Sequence, residues 1–199
     1  MNKRTYLFDI GNVLLSFDFL PALNSLKGKA PAPNAIEQLL LKKDAFESGH
    51  LSITNYVLMA RDLLDYNGSD EHFFNTWNSI FTKIPSTFEL AKSLKKQDHR
   101  LILFSNISPI HARYCLDYYQ LMSIFDEAVL SYEIGSIKPE NDFFTRAFER
   151  FDIIPENTIY IDDLPENIAT GKRHGLRSFC YDYRKHSELT AWLTSQELE

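Results

Sequence analysis

Short apolar runs alternate with segments of helical spacing over most of this chain. A short, largely apolar run begins at Thr5 and ends at the acidic residue Asp9, shortly before Gly-Asn. This pattern predicts a buried strand with Asp9 at its carboxyl end. Further strands are predicted at 101–104, 128–131, 158–161 and 177–181, and helices at 90–96, 109–119, 139–151 and 166–174. Strands that alternate with helices pair in parallel through right-handed crossovers. The pattern therefore predicts an α/β fold with a doubly wound, Rossmann-like parallel sheet.

A helical segment interrupts this alternation after the first strand. From about residue 17 to residue 81 the apolar positions, such as Ile36, Leu39 and Leu40, follow helical spacing. The stretch GKAPAP (28–33) indicates a loop within the segment, and 83–85 a return hinge. We expect residues 1–16 and 82–199 to form the α/β core and residues 17–81 a small inserted helical cap.

Composition narrows the possible partners and the compartment. A chain of 199 residues with 44% hydrophobic content can bury one main core, and its net charge of -6 argues against binding nucleic acid or an anionic membrane. Cys115 and Cys180 lie far apart without metal-ligand spacing, which favours two reduced thiols. The N-terminal segment lacks the apolar run of a secretion signal, and no window is long enough to span a membrane. We expect a cytoplasmic protein, and the sequence does not determine its oligomeric state.

Polar clusters follow the predicted strands. They are Asp9-Ile10-Gly11-Asn12, Ser105-Asn106 and DDLPEN (162–167), and Lys138 in GSIKPE precedes a helix predicted to begin at Pro139. A doubly wound sheet binds ligands at the carboxyl ends of its strands, so these residues are expected to converge. Carboxylates suit a divalent cation, lysine suits phosphate, and one carboxylate can act as a nucleophile through an aspartyl-phosphate. The set predicts phosphoryl transfer.

Each element alone also has a structural explanation. Asp9 with Gly-Asn is typical of a turn, the paired acids 162–163 and the pair Ser105-Asn106 are typical of helix caps, and a single lysine such as Lys138 is usually solvated. Their order and placement behind successive strands favour the joint interpretation. The aromatic and histidine residues of the insert, Phe46, His50 and Trp77, are expected to be ordinary packing or surface residues.

The ordered segments FDIGNVL, LFSN, SIKPE and IYIDDLPENI resemble the motifs of the haloacid dehalogenase-like hydrolase superfamily over nearly the whole chain. The insert resembles the helical cap of that family. Its segment AFESGHLSITNY is similar to a stretch in the subgroup of sugar-1-phosphate phosphatases and of the N-terminal domain of soluble epoxide hydrolases. The resemblance implies a Mg²⁺-dependent phosphomonoester hydrolase that acts on a small phosphorylated metabolite such as a sugar phosphate.

The resemblance also implies a role for each matching residue. Asp9 is the expected nucleophile and a Mg²⁺ ligand, joined at the metal by the backbone carbonyl of Gly11 and by the tandem acids, with Asp163 preferred over Asp162 as the direct ligand. Ser105, Asn106 and Lys138 are expected to bind the phosphate, Lys138 as part of the catalytic machinery, and Asn106 by a hydrogen bond to phosphate or to Asp9.

Gly11 departs from the family pattern. Many phosphatases of the family carry an aspartate at this position that protonates the leaving group, and general acid-base help is typically worth about 10² to 10⁴ in rate. We expect one of two outcomes. In the first, the protein is an enzyme that uses substrates with good leaving groups, such as sugar 1-phosphates, or that borrows a carboxylate such as Asp18. In the second, it is a regulatory protein that binds phosphate ligands without turnover.

Other phosphate-binding folds fit less well. A response-regulator receiver also combines acids, a hydroxyl and a lysine, but there the acid pair comes first in the chain, whereas here it comes last. A dinucleotide-binding protein needs G-x-G-x-x-G after the first strand, which DIGNVL lacks. A metal-independent dehalogenase stays possible, although the pair Asp162-Asp163 favours a cation beside an anionic ester.

Overall fold

A parallel five-stranded sheet lies at the centre of the structure, a computed structural model in which residues 3–197 are described. The strands are β1 (Thr5–Phe8), β2 (Leu15–Phe17), β3 (Phe81–Lys83), β4 (Arg100–Ser105), β5 (Glu127–Leu130), β6 (Thr158–Asp162) and β7 (Arg177–Cys180). The sheet has the order β5-β4-β1-β6-β7, and every pair in it is parallel. This confirms the predicted doubly wound architecture.

Helices cover both faces of this sheet and build the insert. They are α1 (Phe19–Ser25), α2 (Ala35–Leu40), α3 (Lys43–Glu47), α4 (Ile53–Leu64), α5 (Asp70–Asn78), α6 (Pro85–Lys96), α7 (Pro109–Tyr118), α8 (Ser131–Ile134), α9 (Asn141–Phe151), α10 (Pro165–Arg173) and α11 (His186–Glu197). Single 3-10 turns occur at Leu121–Ser123, Pro155–Asn157 and Tyr183–Lys185. Alternate residues of β1 enter opposite cores, Tyr6 and Phe8 one of them and Leu7 the other. Burial on both faces explains why three of the four residues of β1, Tyr6, Leu7 and Phe8, are hydrophobic.

The register of the central strands sets the position of the polar residues that follow them. Phe8 of β1 pairs with Leu103 and Ile161 of the neighbouring strands, and the N–H of Asp9 donates to Ile161 O at 3.0 Å. The carboxyl ends of β1, β4 and β6 are therefore level. In a sheet of this kind, that edge is where ligands bind.

The insert has an apolar core of its own, built by α1 to α5. Its buried residues include Leu23, Phe46, Tyr56, Phe73 and Trp77. The strands β2 and β3 pair antiparallel where the insert joins the sheet domain. The sequence did not predict these strands because three residues are too few to show a period of two. The domain boundary at 17–81 stays a prediction.

Two predicted boundaries were wrong at the segment that carries Lys138. Helix α9 begins at Asn141 rather than Pro139, because Glu140 has an extended backbone and accepts a hydrogen bond from Ser136 Oγ at 2.5 Å. Ser131, predicted to end a strand, begins α8 instead. Lys138 consequently lies in a loop between α8 and α9 and is not directly followed by a helix.

Both cysteines are free thiols, as the sequence predicted, with Cys115 buried and Cys180 exposed. Among residues 3–197, no helix combines the length and the apolar character needed to cross a bilayer.

Candidate active site

The predicted polar segments meet around a cavity of about 160 Å³ at the carboxyl edge of the sheet. Its walls include Asp9, Gly11, Ser105, Asn106, Lys138 and Asp163. Asp162 is fully buried behind this wall. The convergence that the strand order predicted is therefore present in the fold.

Lys138 is a buried cation that joins two of these segments. Its Nζ donates to Phe104 O at 2.7 Å and to Asp162 Oδ2 at 2.5 Å, and it lies 3.1 Å from Asp9 Oδ1. Burial alone lowers the pKa of Lys138, but Asp162 and Asp9 raise it above its usual value. The side chain therefore stays charged and holds Asp9 and Asp162 on either side of it.

The tandem acids differ sharply in their surroundings. Asp162 accepts four hydrogen bonds, from Lys138 Nζ and Tyr160 OH on Oδ2 and from Leu164 N–H and Asn167 Nδ2 on Oδ1. Burial raises the pKa of Asp162, yet Lys138 and these donors bring it below its usual value. A carboxylate with both oxygens occupied by donors is poorly placed to bind a cation directly.

Asp163 is only partly buried and lines the cavity. Its Oδ2 accepts from Asn12 Nδ2 at 3.0 Å, and the backbone of Asn12 has the left-handed conformation, with φ 51. Burial raises the pKa of Asp163, opposed by the Asn12 hydrogen bond and reinforced by Asp162. The comparison favours Asp163 as the direct metal ligand and Asp162 as its support, an assignment that stays a prediction.

The charges of the site fit a divalent cation. Asp9, Asp162 and Asp163 each offer an oxygen within 4.8 Å of the others. Burial raises the pKa of Asp9 to about 7, opposed by Lys138 and reinforced by the two other acids. Three carboxylates beside one ammonium leave an excess of negative charge, and hard oxygen donors are the ligands of Mg²⁺. Within residues 3–197, the turn after β1 uses the carbonyls of Ile10 and Leu15 as backbone acceptors and leaves that of Gly11 without a backbone donor.

The phosphate-binding residues differ in how far the structure matches their predicted contacts. Ser105 is buried at the end of β4 and lines the cavity beside Asp9. Asn106 lines it too, but its side chain pairs with the backbone of Lys138, donating to the carbonyl and accepting from the N–H, both at 2.8 Å. Of the two partners predicted for the Asn106 side chain, phosphate or Asp9, the second is wrong, because its amide group pairs with the backbone of Lys138 instead. Phosphate binding by Ser105, Asn106 and Lys138 stays a prediction.

The aromatic ring of Phe17 occupies the space beside Gly11. A Cβ at Gly11 would lie 2.9 Å from Phe17 Cε1, which is too close for normal van der Waals contact. Asp18, the carboxylate suggested as a substitute, is exposed and caps α1 by accepting from Leu20 N–H at 3.0 Å. It does not line the cavity. Neither residue supplies an acid to the site.

The sequence interpretation missed polar side chains that the insert and α7 bring to the same cavity: Lys43, Glu47 and His111. Glu47 is 6% exposed, and its Oε2 lies 2.9 Å from Lys43 Nζ. The signal available was the segment AFESGHLSITNY, which contains Glu47 but gives no position relative to Asp9. Of the insert residues expected to be ordinary packing or surface, Phe46 stacks on Tyr56 at 4.1 Å, Trp77 is buried and His50 is exposed.

His111 gives the fold a predictable pH dependence. Its Nε2 donates to Trp77 O at 3.2 Å, and burial lowers its pKa from 6.5 to about 4. Between these two pH values the unfolded chain binds a proton that the folded chain excludes, so this residue's contribution to stability falls as the pH falls. The difference corresponds to at most about 3 kcal/mol.

A His111→Gln variant retains an amide donor for Trp77 O and cannot titrate. We expect wild type to lose stability relative to this variant as the pH is lowered from 6.5 to 4, as measured by urea unfolding at each pH. A stability difference that does not change with pH would contradict the assignment.

A family model and two curated relatives are similar to this chain over more than half of its length. The family model described as haloacid dehalogenase-like hydrolase matches residues 3–175. The chain is 24% identical to D-ribitol-5-phosphate phosphatase of Bacteroides thetaiotaomicron over 187 residues, covering 88% of this chain and 90% of the relative. Glyceraldehyde 3-phosphate phosphatase of Pyrococcus furiosus is 25% identical over 118 residues, 59% of this chain and 49% of the relative.

Solved structures are similar over both the sheet and the insert. A predicted HAD-like family hydrolase from Porphyromonas gingivalis superposes with a TM-score of 0.78 at 24% identity, covering 96% of this chain and 98% of the other. A HAD family enzyme from Bacteroides thetaiotaomicron, in complex with magnesium and inorganic phosphate, gives a TM-score of 0.72 at 22% identity over 89% of this chain and 93% of the other. At these identities the likeness establishes the fold.

Proposed function

This chain belongs to the haloacid dehalogenase-like hydrolase family, and we propose that it is a Mg²⁺-dependent phosphomonoester hydrolase with Asp9 as nucleophile. One observation carries the proposal: Asp9, Asp163 and Lys138, from three separate stretches of chain, line a single cavity. Asp9 is held at the end of β1 by the sheet on one side and by Lys138 on the other. A fixed carboxylate of this kind is suited to attack phosphorus.

The chain's own residues divide the reaction between them. Asp9 forms a bond to phosphorus as the ester oxygen leaves, and water then cleaves the aspartyl-phosphate to regenerate the carboxylate. Lys138 and Ser105 hold phosphate oxygens, while Asp162 keeps Lys138 charged and in place. Asp9, Asp163 and the carbonyl of Gly11 would hold Mg²⁺, which would supply positive charge to offset the repulsion between the carboxylates and an anionic ester.

The size of the cavity and the names of the relatives point to a small substrate. A volume of about 160 Å³ is well below the roughly 300 to 1,000 Å³ of pockets for drug-sized ligands. The named relatives are phosphatases of ribitol 5-phosphate and glyceraldehyde 3-phosphate, both short phosphorylated carbon chains. We therefore infer a small phosphorylated metabolite such as a sugar or polyol phosphate.

A direct assay tests the proposal. Purified protein is incubated with Mg²⁺ and a panel of sugar phosphates, polyol phosphates, nucleotides and 4-nitrophenyl phosphate, and released phosphate is measured. We expect release that EDTA abolishes and that Asp9→Asn lowers by roughly 10³-fold or more, since loss of a nucleophile removes the covalent route. Asp18→Asn is the matched control, because this exposed carboxylate does not line the cavity, and its turnover should equal that of wild type.

The alternative of a phosphate-binding regulatory protein rests on one observation, the absence of an acid at Gly11 with Phe17 in its place. That function predicts Mg²⁺-dependent binding of a sugar phosphate in calorimetry, with phosphate release no higher than in Asp9→Asn. Turnover that is insensitive to EDTA would instead favour a metal-independent reaction.

A further inference from the structure

Glu47 is a buried carboxylate of the cap that lines the same cavity as Asp9, yet the proposed hydrolysis at Asp9 gives it no role. That reaction also lacks a proton donor for the leaving oxygen, because Gly11 has no side chain. In a displacement at phosphorus the leaving oxygen departs opposite the nucleophile. With Asp9 at the sheet edge, the leaving oxygen therefore faces the side of the cavity that the cap closes.

The backbone of Glu47 is fastened to the sheet domain. Ser131 Oγ, at the start of α8, donates to Glu47 O at 2.5 Å and accepts from Ile107 N–H at 3.0 Å. Gly49 follows with φ +76, and a Cβ there would lie 2.5 Å from Tyr132 O. These contacts hold the end of α3 tightly against α8. Glu47 is consequently presented to the cavity by a segment whose position the core fixes.

The surroundings of Glu47 suit a group that gives up a proton and takes it back. Burial raises its pKa, which favours a protonated carboxyl, whereas Lys43 acts in the opposite direction and stabilises the carboxylate. Lys43 Nζ lies 2.9 Å from Glu47 Oε2, and its side chain is 39% exposed. The protein environment therefore accommodates both the protonated carboxyl and the carboxylate form of Glu47.

The other titratable groups in or near the cavity are less suitable than Glu47 as a proton donor. His111 donates its Nε2–H to Trp77 O, and burial lowers its pKa to about 4, so at neutral pH it is an uncharged imidazole without an acidic proton to give. Asp18 lies outside the cavity as a helix cap. Asp162 is saturated with hydrogen bonds, and Asp163 is assigned to the metal.

We propose that Glu47 is the general acid and base of this enzyme and takes the role that Gly11 cannot, an inference that rests on the proposed phosphatase function. As the bond from Asp9 to phosphorus forms and the bond to the ester oxygen breaks, Glu47 transfers its proton to that oxygen and becomes a carboxylate beside Lys43. In the second step the carboxylate takes a proton from the attacking water, and the bond between phosphorus and Asp9 breaks. Both side chains return to their starting forms.

The test is a first-turnover comparison of two leaving groups. Glu47→Gln keeps the shape of the side chain but cannot donate a proton, and Asp44→Asn removes an exposed carboxylate from the same helix as a matched control. An alkyl phosphate such as ribitol 5-phosphate needs a proton on its leaving oxygen, whereas 4-nitrophenol leaves as an anion. We expect Glu47→Gln to slow first-turnover release of the alcohol by about 10² to 10⁴ and to leave that of 4-nitrophenol nearly unchanged.

A second readout follows from the loss of the base. In Glu47→Gln, 4-nitrophenyl phosphate should give a burst of one nitrophenol per site, with the phosphoryl group trapped on Asp9 and visible by mass spectrometry after acid quench. Glu47→Asp, which restores a carboxyl group, should recover part of the alkyl-phosphate rate and shorten the life of the trapped species.

Other results overturn the assignment. Equal slowing of both substrates in Glu47→Gln, without a burst, would make the residue structural, and unchanged rates with both would exclude it. The proposed function itself would be refuted if wild type and Asp44→Asn released no more phosphate than Asp9→Asn. That result is distinct from both outcomes for Glu47→Gln.

Discussion

Replacing Lys138 with Met is expected to lower the free energy of unfolding by about 3 to 5 kcal/mol and to abolish turnover. Lys138 is 2% exposed and stands between Asp162 and Asp9, both of them buried. Methionine fills much of the same volume but carries no charge. The variant therefore leaves two buried carboxylates without their cation, which costs far more than a lost surface pair.

The measurement is urea unfolding of metal-free protein in EDTA, so that bound cation does not mask the loss. Lys92→Met is the matched control, because Lys92 is exposed and pairs with exposed Glu89 at 3.0 Å, and exposed pairs contribute about 0 to 1 kcal/mol. If Lys138→Met and Lys92→Met unfolded at the same urea concentration with the same slope, the buried cation would not be the electrostatic centre of this site.

This arrangement links folding to chemistry. Asp9 follows the central strand, Lys138 reaches it from the loop before α9, and Asp162 ends β6. The hydrogen bonds of Asn106 to the backbone of Lys138 fix the loop that carries the cation. Charged side chains that are costly to bury thus lie together where an anionic ester and a cation are proposed to bind. Without those ligands, this arrangement lowers the stability of the fold.

The sheet and the motif residues were predictable because both depend on local sequence. A strand buried on both faces contains a continuous apolar run, as β1 and β4 do, and the polar residue that follows such a run lies at the ligand-binding edge. The strand order could then place Asp9, Ser105 and Asp162 together without coordinates. This inference needed no knowledge of how the cap folds.

The rest of the site depends on contacts between distant segments. Ser131, 84 positions later, donates to the carbonyl of Glu47 and helps to hold this residue at the cavity, and Phe17 lies in the space beside Gly11. The pairing of Asn106 with Lys138 spans 32 positions. No periodicity or motif in a single sequence encodes these approaches, so the identity of a possible acid was not predictable from the residues alone.

The tandem acids should respond to substitution in opposite ways. Asp162→Asn is expected to cost about 3 to 5 kcal/mol of unfolding free energy with or without Mg²⁺, because an amide presents a donor to groups that already donate: Lys138, Tyr160, Leu164 N–H and Asn167. Asp163→Asn is expected to be as stable as wild type or slightly more stable without metal. The pKa of Asp163 is raised, chiefly by burial, so its charged form opposes folding, and the carbonyl of the substituted amide can still accept from Asn12.

Magnesium separates the two variants, because a ligand that binds only the folded state stabilises it by about 2.7 kcal/mol at 100 times its Kd. Wild type and Asp162→Asn should both gain stability as Mg²⁺ is added, the latter with weaker affinity, whereas Asp163→Asn should gain little at any concentration that saturates wild type. Calorimetric titration with Mg²⁺ alone provides the same comparison without unfolding. If Asp163→Asn responded like wild type and Asp162→Asn did not respond, the direct ligand would be Asp162, and its four hydrogen bonds would have to rearrange when the cation binds.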